Sequence, residues 1–154
     1  KPKQALNRDK GKEDGNLQSQ KILLTWLIES DKIFGQIKRY ITPDDFTEDL
    51  YKTVAKLLFE QYESGQLNPA KVMNHFTDEE EHRQVASLFH TKIQKLETKA
   101  EEEKALKETI IRVKNYSVEH ATKMLDPTDI FGLQKIMEAK RSLQDLQKLH
   151  ISID

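Results

Sequence analysis

Residues 100–125, AEEEKALKETIIRVKNYSVEHATKML, are the stretch from which the fold of this chain is best read. The stretch has no glycine or proline and is rich in residues that favour helices. Its apolar residues recur at helical spacing in two rows, one with Leu106, Ile110, Val113 and Met124, the other with Ile111, Val118 and Leu125. A helix of this length would be roughly 39 Å long. We therefore predict that it is the spine of the molecule.

The segments before and after the spine also have helical patterns. Apolar spacing and cap residues predict helices over residues 17–30 with Asn16 as N-cap, 31–40, 47–64, 69–75, and one opened by a capping box of Thr77 and Glu80. Asp44 and Asp45 follow Pro43 at a predicted helix start, where their charges complement the helix dipole. Whether residues 91–98 continue a helix or form a loop is left open by the sequence.

The spine is predicted to end at Asp126-Pro127. Asp126 can serve as an N-cap, and Pro127 suits the first position of a last helix that runs to about residue 149. So short a connection predicts that the last helix folds back on the spine. The expected fold is all-α, with a compact multi-helix subdomain, a long connecting helix and a C-terminal antiparallel helical hairpin.

Residues 1–16, KPKQALNRDKGKEDGN, differ in composition from the rest of the chain. Only Ala5 and Leu6 are apolar there, so we expect a flexible linker, with an ordinary frayed terminus as the alternative. The expected division is a linker over 1–16, a helical subdomain over 17–98, and the connecting helix with the hairpin over 99–154. The chain begins with Lys1 rather than Met, and we expect it to be a piece of a longer protein.

The composition excludes several kinds of site. The chain has no cysteine, which excludes disulfides, thiol catalysis and cysteine-ligated zinc. Its net charge is −1, so no global field attracts nucleic acid or an anionic membrane. No apolar run approaches the roughly 18 residues of a membrane-spanning helix, and no signal peptide is visible, so we expect a cytoplasmic protein.

No motif in the sequence predicts catalysis. The five glycines form neither a dinucleotide-binding nor a Walker motif. Glu79 and His82 have the spacing used in di-iron bundles, but those sites need a second copy of the motif and two further glutamates. We therefore predict no catalytic, cofactor-binding or metal-binding residue and no cofactor.

The terminal hairpin carries many apolar residues, namely Ile130, Leu133, Ile136, Met137, Leu143, Leu146, Leu149, Ile151 and Ile153. Two helices cannot cover each other on all sides. If the hairpin stands away from the subdomain, some of this surface stays exposed, and exposed apolar patches commonly mark partner sites. If it packs against the subdomain, the surface is covered. The sequence favours neither arrangement.

In pattern and order, the chain resembles the C-terminal helicase-binding domain of bacterial replicative DNA primases of the DnaG type. Four stretches carry the resemblance: residues 20–30 (QKILLTWLIES), 44–65 (DDFTEDLYKTVAKLLFEQYESG), 105–114 (ALKETIIRVK) and 131–149 (FGLQKIMEAKRSLQDLQKL). It covers residues 16–154. It implies the fold given above and a parent primase whose zinc-binding and RNA-polymerising domains lie upstream of this chain.

The resemblance also implies a function. The hairpin would dock on the N-terminal domains of the hexameric replicative helicase, recruiting primase to the fork and modulating helicase and priming activity. In related primases the last residues matter for docking. Carried onto this chain, that implies contacts by Leu143, Leu146, Gln147, Leu149, His150 and Ile151. The chain is expected to be a monomer, with a domain-swapped dimer as the alternative.

Three other readings stay open at this point. The chain could be the related N-terminal domain of a replicative helicase, or a bundle metalloenzyme. It could also be a nucleic-acid-binding helical domain, making weak DNA contact through a patch of Lys38, Arg39, Lys92, Lys95, Lys99 and Lys104. Binding of that last kind weakens steeply with salt, whereas apolar docking does not.

Overall fold

The computed structural model describes the backbone of residues 2–154 and the side chains of residues 14–154. In this part of the chain the elements are all helical, and the predicted all-α class is confirmed. They are α1 (Pro2–Glu29), α2 (Asp31–Ile37), a 3₁₀ turn (Pro43–Asp45), α3 (Asp49–Glu63), α4 (Pro69–His75), α5 (Glu79–His90), α6 (Lys99–Met124) and α7 (Ile130–Lys148). Residues 91–98 form a loop.

The starts of α4 and α6 and the end of α3 each have a local cause. Asn68 and Thr98 are N-caps, whose side-chain oxygens accept from the N–H of Lys71 at 3.2 Å and of Glu101 at 3.1 Å. Each cap pairs a backbone donor that the first turn of a helix leaves without a partner. Gly65 has a φ of 101° just after α3, a conformation that glycine adopts without a steric cost. The sequence predicts both the α4 start and this stop.

The start of α7 differs from the prediction. The helix begins at Ile130, three residues after Pro127. Asp126 does not cap it, because its carboxylate accepts from the N–H and the hydroxyl of Thr128 and closes a turn. Asp129 is the N-cap instead, accepting from the N–H of Gly132 at 2.9 Å. In the same way Asp78, and not Thr77, caps α5.

Asn16 lies inside α1 and is not its N-cap. Its amide donates to the hydroxyl oxygen of Thr47 at 3.0 Å, and the amide of Gln20 donates to the same oxygen at 2.9 Å. Gln20 also accepts from the N–H of Glu48, so α1 holds the start of α3. The linker predicted for residues 1–16 lies almost wholly outside the residues whose side chains are described, and it stays a prediction.

The core is built around α1, which packs against α2, α3, α5 and α6. Leu23, Leu24 and Leu27 of α1 are fully buried in it. The spine α6 adds Leu106, Ile110 and Val113 to this core, and the hairpin base adds Leu146 and Ile151. The base of the hairpin is therefore packed on the subdomain, so the apolar surface of the hairpin can be solvent-exposed only at the far end.

An aromatic cluster joins α3 to α2. The ring of Phe34 stacks on Tyr62 with centroids 5.2 Å apart and meets the edge of Phe59 at 5.0 Å. The hydroxyl of Tyr62 donates to the carbonyl oxygen of Leu27. Burial, together with the nearby charge of Asp31, raises the pKa of Tyr62 from 10.0 to about 12.

Tyr62→Phe is expected to lower the free energy of unfolding at neutral pH by about 0.5–1.5 kcal/mol, since it removes one hydrogen bond. In the native chain the stabilisation by Tyr62 is complete below pH 10.0 and is lost as the pH rises toward about 12, because the unfolded tyrosine ionises first. Urea unfolding of the native chain and of Tyr62→Phe should show that their difference in unfolding free energy is smaller between pH 10.0 and about 12 than at pH 7. A constant difference across the range would contradict this assignment.

Candidate functional site

The hairpin tip carries an exposed apolar patch. Seven large apolar side chains are exposed in residues 14–154, and five of them lie within residues 124–137. We call these five the tip patch: Met124, Ile130, Phe131, Leu133 and Met137. Phe131 is 79% exposed and Met137 is 61% exposed. Such a concentration of large apolar groups in one short region is typical of an interaction site.

Helical geometry explains why α7 leaves these residues uncovered. Ile136 and Leu146 are buried, and they mark the side of α7 that faces α6. Ile130, Leu133 and Met137 follow each other at i, i+3 and i+7, so they form a second apolar row, which we call the tip row. This row lies about a third of a turn away from the buried side. Helix α7 therefore has one apolar face against α6 and another that meets solvent.

Basic residues continue the exposed row toward the base of the hairpin. Lys140, Arg141 and Lys148 lie on the same side of α7 as the tip row and are exposed. Within residues 14–154, none of the three is ion-paired. A partner that fits this face would offer an apolar groove with acidic residues at its edge.

The residues implied by the resemblance lie at the other end of α7. Leu146 and Ile151 are buried in the core of this chain, Leu143 and Leu149 are half-buried, and Gln147 and His150 are exposed. The carbonyl oxygen of Gln147 accepts from Lys107 of α6 at 2.7 Å. This group is separated from the first turn of α7 by about 24 Å along the helix axis. The tip patch and the implied contact residues are therefore two separate regions of one hairpin.

The site residues inferred from the sequence do not include the tip patch. Three of its five members, Ile130, Leu133 and Met137, are among the apolar residues of the predicted hairpin, whereas the docking residues that the resemblance implies lie in the last part of the chain. A signal was present: Ile130, Leu133 and Met137 fall on a different face of α7 from Ile136 and Leu146. Separating the two rows on a helical projection would have pointed to the tip.

A buried ion pair fixes α6 below the hairpin. Lys114 lies 3.1 Å from Oδ2 of Asp45, and the two side chains are only 7% and 9% exposed. The hydroxyl of Ser117 donates to Oδ1 at 2.7 Å, and the N–H of Thr42 donates to Oδ2 at 2.9 Å. Both carboxylate oxygens are thus satisfied within the chain. This arrangement ties the 3₁₀ turn to α6.

The pair lies at one side of a groove of about 550 Å³ between the 3₁₀ turn and the hairpin. Met124 of the tip patch also lines this groove. The groove walls carry charges of both signs, including Arg39, Asp44 and Lys135. The groove therefore shows no single-sign field for an ionic ligand.

The basic residues considered for nucleic-acid contact are partly neutralised. Lys38 pairs with Glu63 at 3.5 Å and lies over the ring of Phe34, and Lys99 pairs with Asp154. Lys92 and Lys95 lie in the loop before α6. Ion pairs of this kind reduce the positive field that a phosphate backbone would meet.

Among the described side chains, no three His, Asp or Glu residues lie close enough together to hold a metal ion. Glu79 and His82 are both exposed in the first turn of α5. Of the helices the structure describes, none combines the length and the apolar character that crossing a membrane requires.

Comparisons of this chain with known protein families, with curated proteins and with solved structures find no match.

Proposed function

We propose that this chain is a non-catalytic protein-interaction module that docks on the N-terminal domains of a hexameric replicative helicase. In this role it recruits the primase to which it belongs to the replication fork and modulates helicase and priming activity. The observation that carries the proposal is the tip patch on the hairpin. The resemblance in residue pattern supplies the identity of the partner.

The spacing of the apolar residues in the tip patch is typical of a helix that docks in a groove. Recognition of this kind uses anchors at i, i+3 or i+4, and i+7 of an amphipathic helix, and Ile130, Leu133 and Met137 match that spacing. Phe131 follows Ile130 in the chain, about 100° further round the helix axis, and adds an exposed aromatic surface at the start of α7. Aromatic and long apolar side chains contribute strongly at the centre of interfaces, whereas charges at the rim mainly steer association.

The fold presents the hairpin in a preorganised form. Helix α6 is continuous over Lys99–Met124 and packs along α1, so it connects the core directly to the tip. The buried pair of Asp45 and Lys114 fixes α6 near its middle. A preorganised binding element loses less conformational entropy on docking, which favours affinity.

The proposal requires no cofactor and no catalytic group within this chain. DNA-directed RNA polymerase activity would belong to other domains of the parent primase. The alternative of a nucleic-acid-binding domain is distinguished by salt, because phosphate contacts weaken steeply as salt rises and apolar docking does not.

The test is size-exclusion chromatography with light scattering, using the replicative helicase of the same organism. The native chain is expected to co-elute with the hexamer, with little loss between low and moderate salt. Met137→Glu is expected to weaken binding by about tenfold or more, because it places a charge among the apolar anchors. Met137 is exposed, so circular dichroism should show an unchanged fold.

The matched control is Gln66→Glu, which adds the same charge at an exposed glutamine in the loop after α3. It should bind as the native chain does. Equal binding by the native chain and the Met137→Glu variant would overturn the role of the tip patch. No binding by the native chain at any salt concentration would overturn the proposed function itself.

A further inference from the structure

The last six residues, 149–154, leave the end of α7 and run back over the subdomain without regular structure. We call them the tail segment. Ile151 is its anchor, since its side chain is buried in the core. Leu149 and Ile153 are partly buried against the same core. The tail segment is therefore a packed part of the fold.

Polar contacts hold the tail segment to two helices. The side-chain amide of Gln36 in α2 donates to the carbonyl oxygen of Ser152 at 2.7 Å and accepts from the N–H of Ser152 at 2.8 Å. From α6, Glu103 accepts from the N–H of Ile153 at 3.0 Å, and Lys99 pairs with Asp154. The tail segment thus bridges α2 and α6 and closes the base of the hairpin.

These contacts differ in kind from those that hold the core. Within the described chain, residues 150–154 make no backbone–backbone hydrogen bond, and each polar contact named above uses a side chain. The pair of Lys99 and Asp154 is exposed, with side-chain exposures of 67% and 63%, and such pairs contribute little and are screened by salt. With Ile151 as its one fully buried residue, and with residues 150–154 making no backbone–backbone hydrogen bond to the described chain, the tail segment is of the kind that opens locally at a lower free energy than the whole fold.

The position of the tail segment also decides which residues a partner can reach. Ile151 belongs to the tail segment and Leu146 precedes it by three residues at the end of α7, and both side chains are buried in the same core. Among the residues that the structure describes, α7 packs extensively against no helix but α6, so the tail segment is a second attachment of its base. When the tail segment is closed, a partner can contact the tip patch but not these two side chains.

We propose that the tail segment is a releasable latch, and that its opening uncovers Ile151 and the base of α7 for the partner that docks on the tip. The second part rests on the proposed function, whereas the first concerns the free chain alone. The partner would then bind the open form more tightly than the closed one. Because only a small fraction of free chains would be open, the apparent affinity of the partner would be lower than its affinity for the open form by that fraction.

Hydrogen–deuterium exchange on the free chain tests the latch. Gln36→Ala removes both hydrogen bonds to Ser152, and it is expected to speed exchange of the Ser152 and Ile153 amides by about tenfold. Amides of α1 and α3 should exchange as before. The control is Gln66→Ala, because the Gln66 side chain is exposed and has no hydrogen bond among the described residues. Unchanged exchange rates of the tail amides in Gln36→Ala would overturn the latch. Tail amides that exchange only through the global unfolding that also exposes the core amides would overturn it as well.

Helicase affinity tests the coupling, with the same two variants. Gln36→Ala is expected to bind up to about tenfold more tightly than the native chain, because more of it is open. Gln66→Ala should match the native chain. Faster tail exchange with unchanged affinity would overturn the coupling and leave the latch standing. If neither the native chain nor a variant binds, the proposed function and the coupling both fail, while the exchange result still decides the latch.

Discussion

Replacing Asp45 by alanine is expected to lower the free energy of unfolding by about 3–5 kcal/mol, because it leaves Lys114 buried without a counter-ion. The carboxylate of Asp45 also accepts from Ser117 and from the N–H of Thr42, and both donors lose a partner in the variant. Chemical denaturation followed by circular dichroism measures the change. This is the largest loss expected from any single charged residue described above.

Asp44→Ala is the matched control. Asp44 is the neighbouring residue in the same 3₁₀ turn, but it is exposed, and its removal should change stability by no more than about 0.5 kcal/mol. The double variant Asp45→Ala with Lys114→Met should recover most of the loss, because an apolar side chain then replaces the unpaired charge. Equal effects of Asp44→Ala and Asp45→Ala would show that the pair does not hold α6 in place.

The second large effect is expected at the base of the hairpin. Leu146→Ala should lower the free energy of unfolding by about 2–5 kcal/mol, since it leaves a cavity in the core. Leu146 is 0% exposed, whereas Leu133 of the same helix is 48% exposed. Leu133→Ala removes the same atoms and should cost no more than about 0.5 kcal/mol. Urea unfolding of the two variants measures the contrast directly.

In the helicase assay, the binding defect of Leu133→Ala should be larger than that of Leu146→Ala. Leu133→Ala is expected to weaken docking while the fold stays intact, because it removes one anchor of the tip row. The main effect of Leu146→Ala should be the loss of stability and not a loss of docking. A Leu146→Ala variant as stable as Leu133→Ala would mean that the base of α7 is not part of the core. The assignment of α7 to one buried and one exposed face would then be wrong.

The helical elements could be predicted closely wherever short-range chemistry decides them. Helix α6 begins and ends within one residue of its predicted bounds, because 26 residues without glycine or proline offer no point at which the helix is readily interrupted. Asn68 and Gly65 act through atoms only a few residues away, and their roles were readable from the sequence. The start of α7 was missed because Asp126 and Asp129 can each cap a helix, and local patterns do not decide between two equivalent caps.

The amino-acid sequence by itself determined an all-α chain, its long spine and a hairpin with more apolar residues than two helices can cover. Only the tertiary structure decided which of these residues are buried. Lys114 and Asp45 are 69 residues apart, and Gln36 and Ser152 are 116 apart, so no local pattern predicts that they meet. The exposed tip and the closed tail segment depend on how α7 is rotated against α6. Packing of the whole core sets that rotation, because each helix must bury its apolar side against the others.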